Sequence, residues 1–353
     1  MSLAIDAPAT ADRPDGPRPG GGFSSRLWLT WRQHRWALVG TLLLAAVLVG
    51  WMTYLSTEMT DLWHQCHNMP CPDNSPQDLR LGARPFGLFQ QSSYVERLVQ
   101  YMPLLVGMFL GVPVLSREHE QRTLLLAWSQ DVSPARWLWT RLGLLGLFVT
   151  AVTAAVAGAI DHLEHVETNV SPGNLFHYEP FLNTGMLPVA ISLCWFAVGV
   201  ALGAALRRTL PAVFGVIAGF VGLLVYLQFR YPTLMKPLSY HRPFKLADDR
   251  VWGPNFLAVN GDRVNFGPGQ RTNVIDPSGH ELDYAELRRV CGTDPDTLFT
   301  CLGDNHFTSY VEYQPADRIP EFHLIVGTGY LTLAAVALLT VWLVVRRTNL
   351  SAG

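Results

Sequence analysis

Six long apolar runs limit the fold of this sequence more than any other feature. A helix of about 20 apolar residues is long enough to cross the hydrocarbon core of a membrane. Backbone groups within lipid must bond to one another, and a helix achieves this inside one segment. The runs therefore predict an all-α polytopic membrane protein with six transmembrane helices. They cover residues 36–55, 98–115, 137–160, 187–206, 210–229 and 322–345.

The composition agrees with a membrane protein that also has a water-exposed part. Charged residues make up 15% of the chain, whereas soluble domains have about 25%. The mean hydropathy of +0.18 is too low for a chain that is embedded throughout. The net charge of −2 gives no case for nucleic-acid binding, so we expect membrane lipid as a partner and no nucleic acid.

The positions of the arginines predict the topology. Short cytoplasmic loops are enriched in Lys and Arg. Arginines precede run one, lie between runs two and three and between runs four and five, and follow run six, whereas loop 161–186 has neither Lys nor Arg. We therefore expect a multi-pass protein of the plasma membrane with both termini in the cytoplasm. No small-residue cleavage site follows the first run, so we expect a retained anchor.

The N-terminal region has two parts. Residues 1–22 are rich in Pro, Gly, Ala and Asp, which is typical of a disordered tail. Residues 23–35 combine apolar and aromatic side chains with basic ones, which predicts an amphipathic helix lying in the headgroup plane. The alternative is that residues 23–35 merely extend the first span.

The densest mixed charge in the chain lies at residues 116–123, between the second and third runs. Hydrocarbon cannot hold such a segment, so we expect it in water beside the membrane. Glu118 and Arg122 are spaced i,i+4, and Arg117 and Glu120 are spaced i,i+3, which supports a short helix. A charged helix joined to spans at both ends can act as a lever through which a soluble partner moves the spans.

The segment 230–321 predicts a small mixed α/β domain outside the cytoplasm. Its local signals are a hairpin turn at Asn260-Gly261, a turn at residues 276–279 (DPSG), a short helix at 284–290 and a strand at 309–313.

Four of the five cysteines fall in the predicted outer loops, which fits disulfide formation in an oxidising exterior. Cys66 and Cys71 lie in the first outer loop, Cys291 and Cys301 lie in the last, and Cys194 lies within run four. We expect bridges between Cys66 and Cys71 and between Cys291 and Cys301, although four cysteines allow three pairings.

Two histidine-containing clusters each have a simpler interpretation than a metal site. Residues 64–71 (HQCHNMPC) fit a disulfide-closed loop better than a soft-metal site. Asp161, His162, Glu164, His165 and Glu167 fit a solvated acidic helix end better than a ligand set. We therefore predict that the chain binds no metal.

Three of the runs contain a Gly-x-x-x-Gly motif, which lets two helices approach closely in lipid. We assign these glycines to helix packing, and any one motif could lie at a subunit interface. They are Gly107, Gly111, Gly199, Gly203, Gly215 and Gly219.

The energy for any transport must come from a partner. The centres of the runs have no Asp, Glu, Lys, Arg or His, whereas ion-coupled transporters keep ionisable groups at that depth. No Gly-x-x-x-x-Gly-Lys-Ser/Thr motif occurs, so the chain has no phosphate-binding loop of this kind. No protease or lipase motif occurs either, so we expect no catalytic residues.

Three segments of the chain carry a family resemblance. They are residues 109–120 (FLGVPVLSREHE) with 126–130 (LAWSQ), residues 133–141 with the pair Arg136-Trp137, and residues 313–318 (YQPADR). Together with the six-span plan, they resemble the permease subunit of an ATP-binding cassette (ABC) transporter, type-2 exporter family, in its actinobacterial form. The chain departs from the family pattern at Arg122, where Gly is usual, and at Ile319-Pro320, where an aromatic pair is usual.

The resemblance implies the partners and the roles of individual residues. It implies a bacterial plasma membrane, two ATPase subunits that bind ATP and Mg, a second and identical permease chain, and no cofactor in this chain. Residues 23–35 would be the connecting helix. ATPase coupling would fall to Arg117, Glu118, Glu120, Arg122 and Thr123.

The predicted function is export of an amphipathic or hydrophobic compound, such as a drug, a peptide or a lipid-like molecule. The alternative is a membrane sensor or scaffold that binds a ligand with its outer domain and signals to a cytoplasmic partner. The predicted organisation is a tail (1–22), an in-plane helix (23–35), five spans (36–229) with a coupling segment (116–136), an outer domain (230–321), a sixth span (322–347) and a cytoplasmic tail (348–353).

Overall fold

The computed structural model describes residues 23–65, 79–120, 134–170, 178–243, 257–259, 262–264, 271–293 and 295–350. Within these ranges, six helical segments are long and apolar enough to cross a membrane, so the predicted six-span fold is confirmed. They are His34–Gln65, Gly87–Glu118, Leu138–Asn169, Leu187–Leu206, Thr209–Arg230 and Ile319–Arg347.

The described helices begin and end as follows. They are α1 Phe23–Gln65, α2 Leu79–Leu105, α3 Pro113–Glu120, α4 Pro134–Val170, α5 Tyr178–Asn183, α6 Leu187–Leu206, α7 Thr209–Arg230, α8 Tyr284–Cys291, α9 Pro295–Asp304 and α10 Ile319–Leu350. A π-helical turn, Val106–Gly111, joins α2 to α3. We call the end of the bundle where α1 begins and α10 ends the terminal end, and the other the opposite end.

Helix α1 is continuous, so no break separates residues 23–35 from the first span, and their position in the headgroup plane stays a prediction. The helix has 43 residues, which at 1.5 Å per residue is about 65 Å. The first glycine in α1 is Gly40, and residues 23–39 of this helix contain no proline. Nothing in the local sequence breaks the helix, so residues 23–35 and the first span share one helix.

Helix α6 lies at the centre of the bundle. In the most apolar 18-residue stretch of α6, 67% of the residues are buried, whereas the corresponding share in α7 is 17%. It packs against α10, α4, α7, α2 and the π-helical turn. A helix that is apolar all round is expected in such a position. A second apolar cluster, which includes Met52, Val95 and Ile160, fills the space between α1, α2 and α4.

The motif glycines allow the second span and α6 to touch backbone to backbone. A Cβ atom on Gly107 would lie 2.8 Å from the carbonyl oxygen of Trp195, and one on Gly111 would lie 2.6 Å from that of Phe196. On α6, a Cβ on Gly199 would lie 2.3 Å from the carbonyl oxygen of Gly107, and one on Gly203 would lie 2.5 Å from that of Val112. These four glycines therefore serve packing within one chain.

The third motif is looser than the other two. A Cβ on Gly215 would approach Cδ1 of Leu202 at 3.1 Å, and one on Gly219 would approach the ring of Trp195 at 3.3 Å. Both neighbours are side chains of α6, so this motif also faces a helix of its own chain.

Two small antiparallel sheets follow α7. The strands are β1 Leu238–Pro243, β2 Leu257–Val259, β3 Asp262–Val264, β4 Arg271–Ile275, β5 Glu281–Leu282 and β6 Thr308–Tyr313. The larger sheet has the order β1-β6-β4-β5, and β2 pairs with β3. Val259 lies opposite Asp262, as the Asn260-Gly261 hairpin signal predicts. The predicted helix at 284–290 and strand at 309–313 are present as α8 and β6.

Asp276 closes the turn that the sequence predicts at residues 276–279. Its Oδ1 atom accepts hydrogen bonds from the hydroxyl of Ser278 at 2.6 Å and from the backbone N–H of Ser278 and of His280, each at 2.9 Å. These bonds stabilise the carboxylate, so they lower the pKa of Asp276, with the Ser278 hydroxyl contributing most.

The sheet is attached to the last two spans through the motif at residues 313–318. Gln314 Nε2 donates to the carbonyl oxygen of Met235 at 2.9 Å, and Arg318 Nη1 donates to that of Lys236 at 3.0 Å. Below this link, Phe181 stacks on Tyr231 with ring centroids 4.9 Å apart. The strand region is therefore held against the ends of α7 and α10.

A disulfide joins α8 to α9. The predicted bond between Cys291 and Cys301 is present and closes a loop with a sequence separation of 10. It lies beside a small apolar cluster that includes Leu287 and Phe307. The other predicted bridge, between Cys66 and Cys71, lies outside the described residues.

We expect the double substitution Cys291→Ser and Cys301→Ser to destabilise the domain that contains α8 and α9 by about 3 kcal/mol. Without the bond, the unfolded chain regains the conformational entropy that closing a loop of this length removes. Without reductant, the unfolding transition of this domain should occur at a lower temperature in the double variant than in the wild-type chain when the full chain is unfolded by heat. Reductant should lower the same transition in the wild-type chain. A double variant that unfolds like the oxidised wild type would contradict this role.

Candidate functional site at the terminal end of the bundle

Helix α3 carries the first part of the charged segment, residues 116–120, and contacts the π-helical turn, α6 and α7. It starts directly after the π-helical turn and packs on α6 and α7. Ser116 has no exposed surface. Its hydroxyl oxygen lies 2.9 Å from the carbonyl oxygen of Val112 and 2.9 Å from the hydroxyl of Thr209. The segment therefore begins as a buried part of the bundle.

Glu118 connects the second span to the third and the first. Its carboxylate forms a buried ion pair with Arg141 of α4, in which Nη1 of Arg141 donates to Oε1. Nη2 of Arg141 lies 2.6 Å from Nε2 of His34 in α1. The three residues are 8%, 5% and 4% exposed. We call this group the terminal triad.

The hydrogen bonds of the terminal triad determine the protonation state and the tautomer of His34. A guanidinium group has only donors, so Nε2 of His34 must accept the hydrogen bond from Arg141. His34 is then a neutral imidazole with its proton on Nδ1. The triad thus contains one negative and one positive charge, which is the arrangement in which buried charges are least costly.

Glu120 holds the turn between the fourth and fifth spans. Its Oε1 accepts from the backbone N–H of Thr209 at 2.7 Å, and its Oε2 accepts from the hydroxyl of Thr209 at 3.1 Å. Thr209 is the first residue of α7, and a carboxylate at a helix N-terminus interacts favourably with the helix dipole. Helix α6 ends next to this contact, and Arg207, the residue that follows its last residue, has a φ of 55°.

The predicted coupling residues thus have different positions. Glu118 is buried in the triad, and Glu120 is exposed but bonded to α7. Arg117 is exposed, so its side chain lies on the surface between them. Arg122 and Thr123 lie outside the described residues.

Three residues of this site were not predicted. From the sequence, Arg141 indicates only topology, His34 belongs to the basic side of the predicted amphipathic helix, and Thr209 belongs to a short break between spans. Arg141 is 107 positions from His34 and 23 from Glu118, so spacing along the sequence gave no sign of the contact. A possible signal was the presence of charge inside helices that are long enough to span.

The opposite end contradicts the prediction of a solvated acidic helix end. His162 and His165 are exposed, but Glu164 is only 6% exposed. The two histidines and Glu164 therefore lie on different faces of α4. Among the described residues, no three His, Cys, Asp or Glu side chains are arranged to hold a metal ion.

Comparisons with known families agree with this architecture. The family described as "ABC-2 membrane transporter related" matches residues 42–231, which is more than half of the chain. A second match, over residues 233–319, is to a domain of unknown function. The comparison with curated proteins gave no match, and neither did the comparison with solved structures.

The first match covers the first span from residue 42 onward, the next four spans, and Glu118 and Arg141 of the terminal triad, whereas His34 lies before it. The second match begins after α7 and ends where α10 starts. Permeases of this class are membrane subunits that lack an ATPase of their own and work with an ABC ATPase. The chain therefore belongs to the ABC-2-related family of membrane transporters, and it is a multi-pass permease of the ABC transporter class.

Proposed function

We propose that this chain is the permease of an ABC exporter that moves an amphipathic or hydrophobic compound out of the cell. Two identical permease chains would assemble with two ATPase subunits, which bind ATP and Mg. The terminal end would face the cytoplasm, an orientation that the arginines at residues 207, 208, 346 and 347 support by the positive-inside rule.

One observation carries this proposal: α3 is bonded to several spans at once. Glu118 bonds to α4, and the same guanidinium group bonds to α1. Glu120 bonds to the start of α7. A force applied to α3 would therefore act on four spans together, as the proposed coupling to an ATPase requires.

The surface position of Arg117 makes it the residue of α3 that would contact the ATPase. An arginine anchor at an interface contributes strongly to affinity. By contrast, the proposed role of Glu118 and Glu120 is to hold α3 in place. The same assignment leaves Arg122 and Thr123 as further contact residues in the segment that follows α3.

The first experiment is to express the chain with the ATPase encoded beside it and to purify the complex. The complex should hydrolyse ATP, and inverted vesicles that contain it should accumulate a hydrophobic fluorescent dye when ATP is supplied. Purification of the chain without any ATPase would overturn the proposal. A complex that hydrolyses ATP but moves no compound would favour the sensor or scaffold function instead.

We expect Arg117→Ala to weaken ATPase binding about tenfold, which corresponds to about 1.4 kcal/mol. The variant should unfold at the wild-type temperature, because the side chain is exposed. Titration of the detergent-solubilised permease with the purified ATPase measures the effect. The control is Arg347→Ala, which removes an exposed arginine from α10 at the same end. Equal losses in the two variants would contradict a specific contact at Arg117.

A further inference from the structure

A cluster of carboxyl groups lies inside the opposite end of the bundle. Glu96 of α2 and Glu164 of α4 are each 6% exposed, and Ser92 of α2 has no exposed surface. Glu167 of α4 completes the cluster. The hydroxyl oxygen of Ser92 lies 2.6 Å from Oε2 of Glu167 and 3.1 Å from Oε1 of Glu96. The cluster therefore joins the second span to the third.

The two contacts of the Ser92 hydroxyl indicate whether Glu96 and Glu167 can both be ionised. A serine hydroxyl has one hydrogen to donate, and an ionised carboxylate can only accept. Ser92 can satisfy one of the two carboxylates as a donor. The other contact is a full hydrogen bond only if that carboxyl carries a proton and donates it to the serine oxygen.

Glu164 provides a separate indication of a bound cation or proton. Its Oε1 atom is buried and has no hydrogen-bond partner among the described residues. The charges that act on Glu164 are those of Glu96, Glu167 and Asp161, all of them acidic. A buried carboxylate among like charges is strongly disfavoured, and it takes up a proton or a cation.

The other titratable groups near this end are arranged differently. Asp161 accepts a hydrogen bond from the backbone N–H of Gly185 at 2.8 Å. His323 of α10 interacts with Asp161, and its Nε2 lies 3.0 Å from the carbonyl oxygen of Phe181. Helix α1 contributes Glu58 and the exposed Asp61 at this level. The strong interactions of Glu164 are with acids.

We propose that Glu96, Glu164 and Glu167 form a proton-binding site that joins α2 to α4 at the opposite end of the bundle. At least one proton is bound in the conformation described here. When it leaves, the negative charges repel, and the ends of the second and third spans move apart. The proton then passes to water at that end.

This site complements the terminal triad. Glu118 and Arg141 join the same two spans at the terminal end through opposite charges, and that contact does not need an added proton. Only the opposite end would respond to the pH of the adjoining solution. The proposal does not depend on export or on an ATPase, so it can be tested with the permease alone.

The test is the thermal unfolding of the full-length chain in detergent between about pH 5 and about pH 9. The folded state keeps its proton up to a higher pH than the same glutamates do in the unfolded chain. Stability is therefore complete at low pH and is lost as the pH rises. For one proton, the unfolding equilibrium constant should rise by up to about tenfold per pH unit.

The main variant is Glu164→Gln, since an amide resembles a protonated carboxyl group in shape and can donate hydrogen bonds. It should fold, and its unfolding temperature should fall less with pH than that of the wild type. Glu167→Gln should behave in the same way. The matched control is Asp61→Asn, which removes an exposed acid at the same end and should keep the wild-type pH dependence.

Each other result would overturn the proposal. A wild-type unfolding temperature that is constant over this pH range would mean that no proton is bound. Failure of Glu164→Gln to fold would mean that Glu164 needs its charge, and an unchanged pH dependence in this variant would mean that Glu164 does not bind the proton. If Na⁺ or Mg²⁺ restored wild-type stability at high pH, the cluster would be a site for a metal cation.

Discussion

Substitution of Gly199 by alanine is expected to prevent the chain from folding normally. The new Cβ would lie 2.3 Å from the carbonyl oxygen of Gly107 and 3.1 Å from the backbone nitrogen of Val112. Both neighbours are backbone atoms, which cannot rotate away as a side chain can. Overpacking in a core costs about 1–3 kcal/mol and occasionally more, and we expect this site to lie at or above the upper limit.

The position of Gly199 explains why the effect should be so large. Gly199 lies in α6, the central helix, at its contact with the π-helical turn of the second span. To relieve the clash, two buried helices would have to separate. Apolar contacts along both helices, including those of Val106 and Val200, would be lost at the same time.

A matched glycine provides the control. A Cβ on Gly158 in α4 would meet no atom within 4 Å. Gly158→Ala should therefore be neutral or stabilise the helix by about 0.5–1 kcal/mol. Size-exclusion profiles and unfolding temperatures in detergent distinguish the two variants. If Gly199→Ala gave the profile and unfolding temperature of Gly158→Ala, the close backbone contact described here would be wrong.

Removal of the carboxylate in Glu118→Ala is expected to produce the second large effect. Arg141, which is 5% exposed, would lose the charge that compensates its own. Breaking a buried ion pair from one side costs about 3–5 kcal/mol. For a protein of this size, that corresponds to a fall in unfolding temperature on the order of 10 °C.

A double-mutant cycle isolates the ion pair from other effects. In Glu118→Ala combined with Arg141→Met, no buried charge remains uncompensated, so the double variant should be more stable than the single one. Glu120→Ala is the matched control, because its carboxylate is exposed and only caps α7, which is worth about 1 kcal/mol. Additive losses at Glu118 and Arg141 would show that the pair is not coupled.

The sequence predicted the features that depend on local pattern. Apolar runs predicted the six spans, and Asn260-Gly261 and the DPSG segment predicted turns that flank the observed strands. These features are determined by a few neighbouring residues, so they can be inferred from a single chain.

The contacts of the candidate sites depend on which helix faces meet, and that is not encoded locally. The glycine motifs indicated close packing but not which helix each would contact. Glu96 lies two residues before the second apolar run, so the run by itself does not indicate that this side chain is buried. Its burial became apparent only because α2 extends well beyond that run.

The π-helical turn in the second span has a consequence for the alignment of the two ends of that span. Such a turn holds about one residue more than an α-helical turn, so it changes the angular phase of the helix by about 100°. Without this offset, the faces that carry Glu96 and Glu118 would not both point into the bundle. The deletion of a single residue within Val106–Gly111 would leave a more regular helix, but one whose two halves could no longer meet their partners at once.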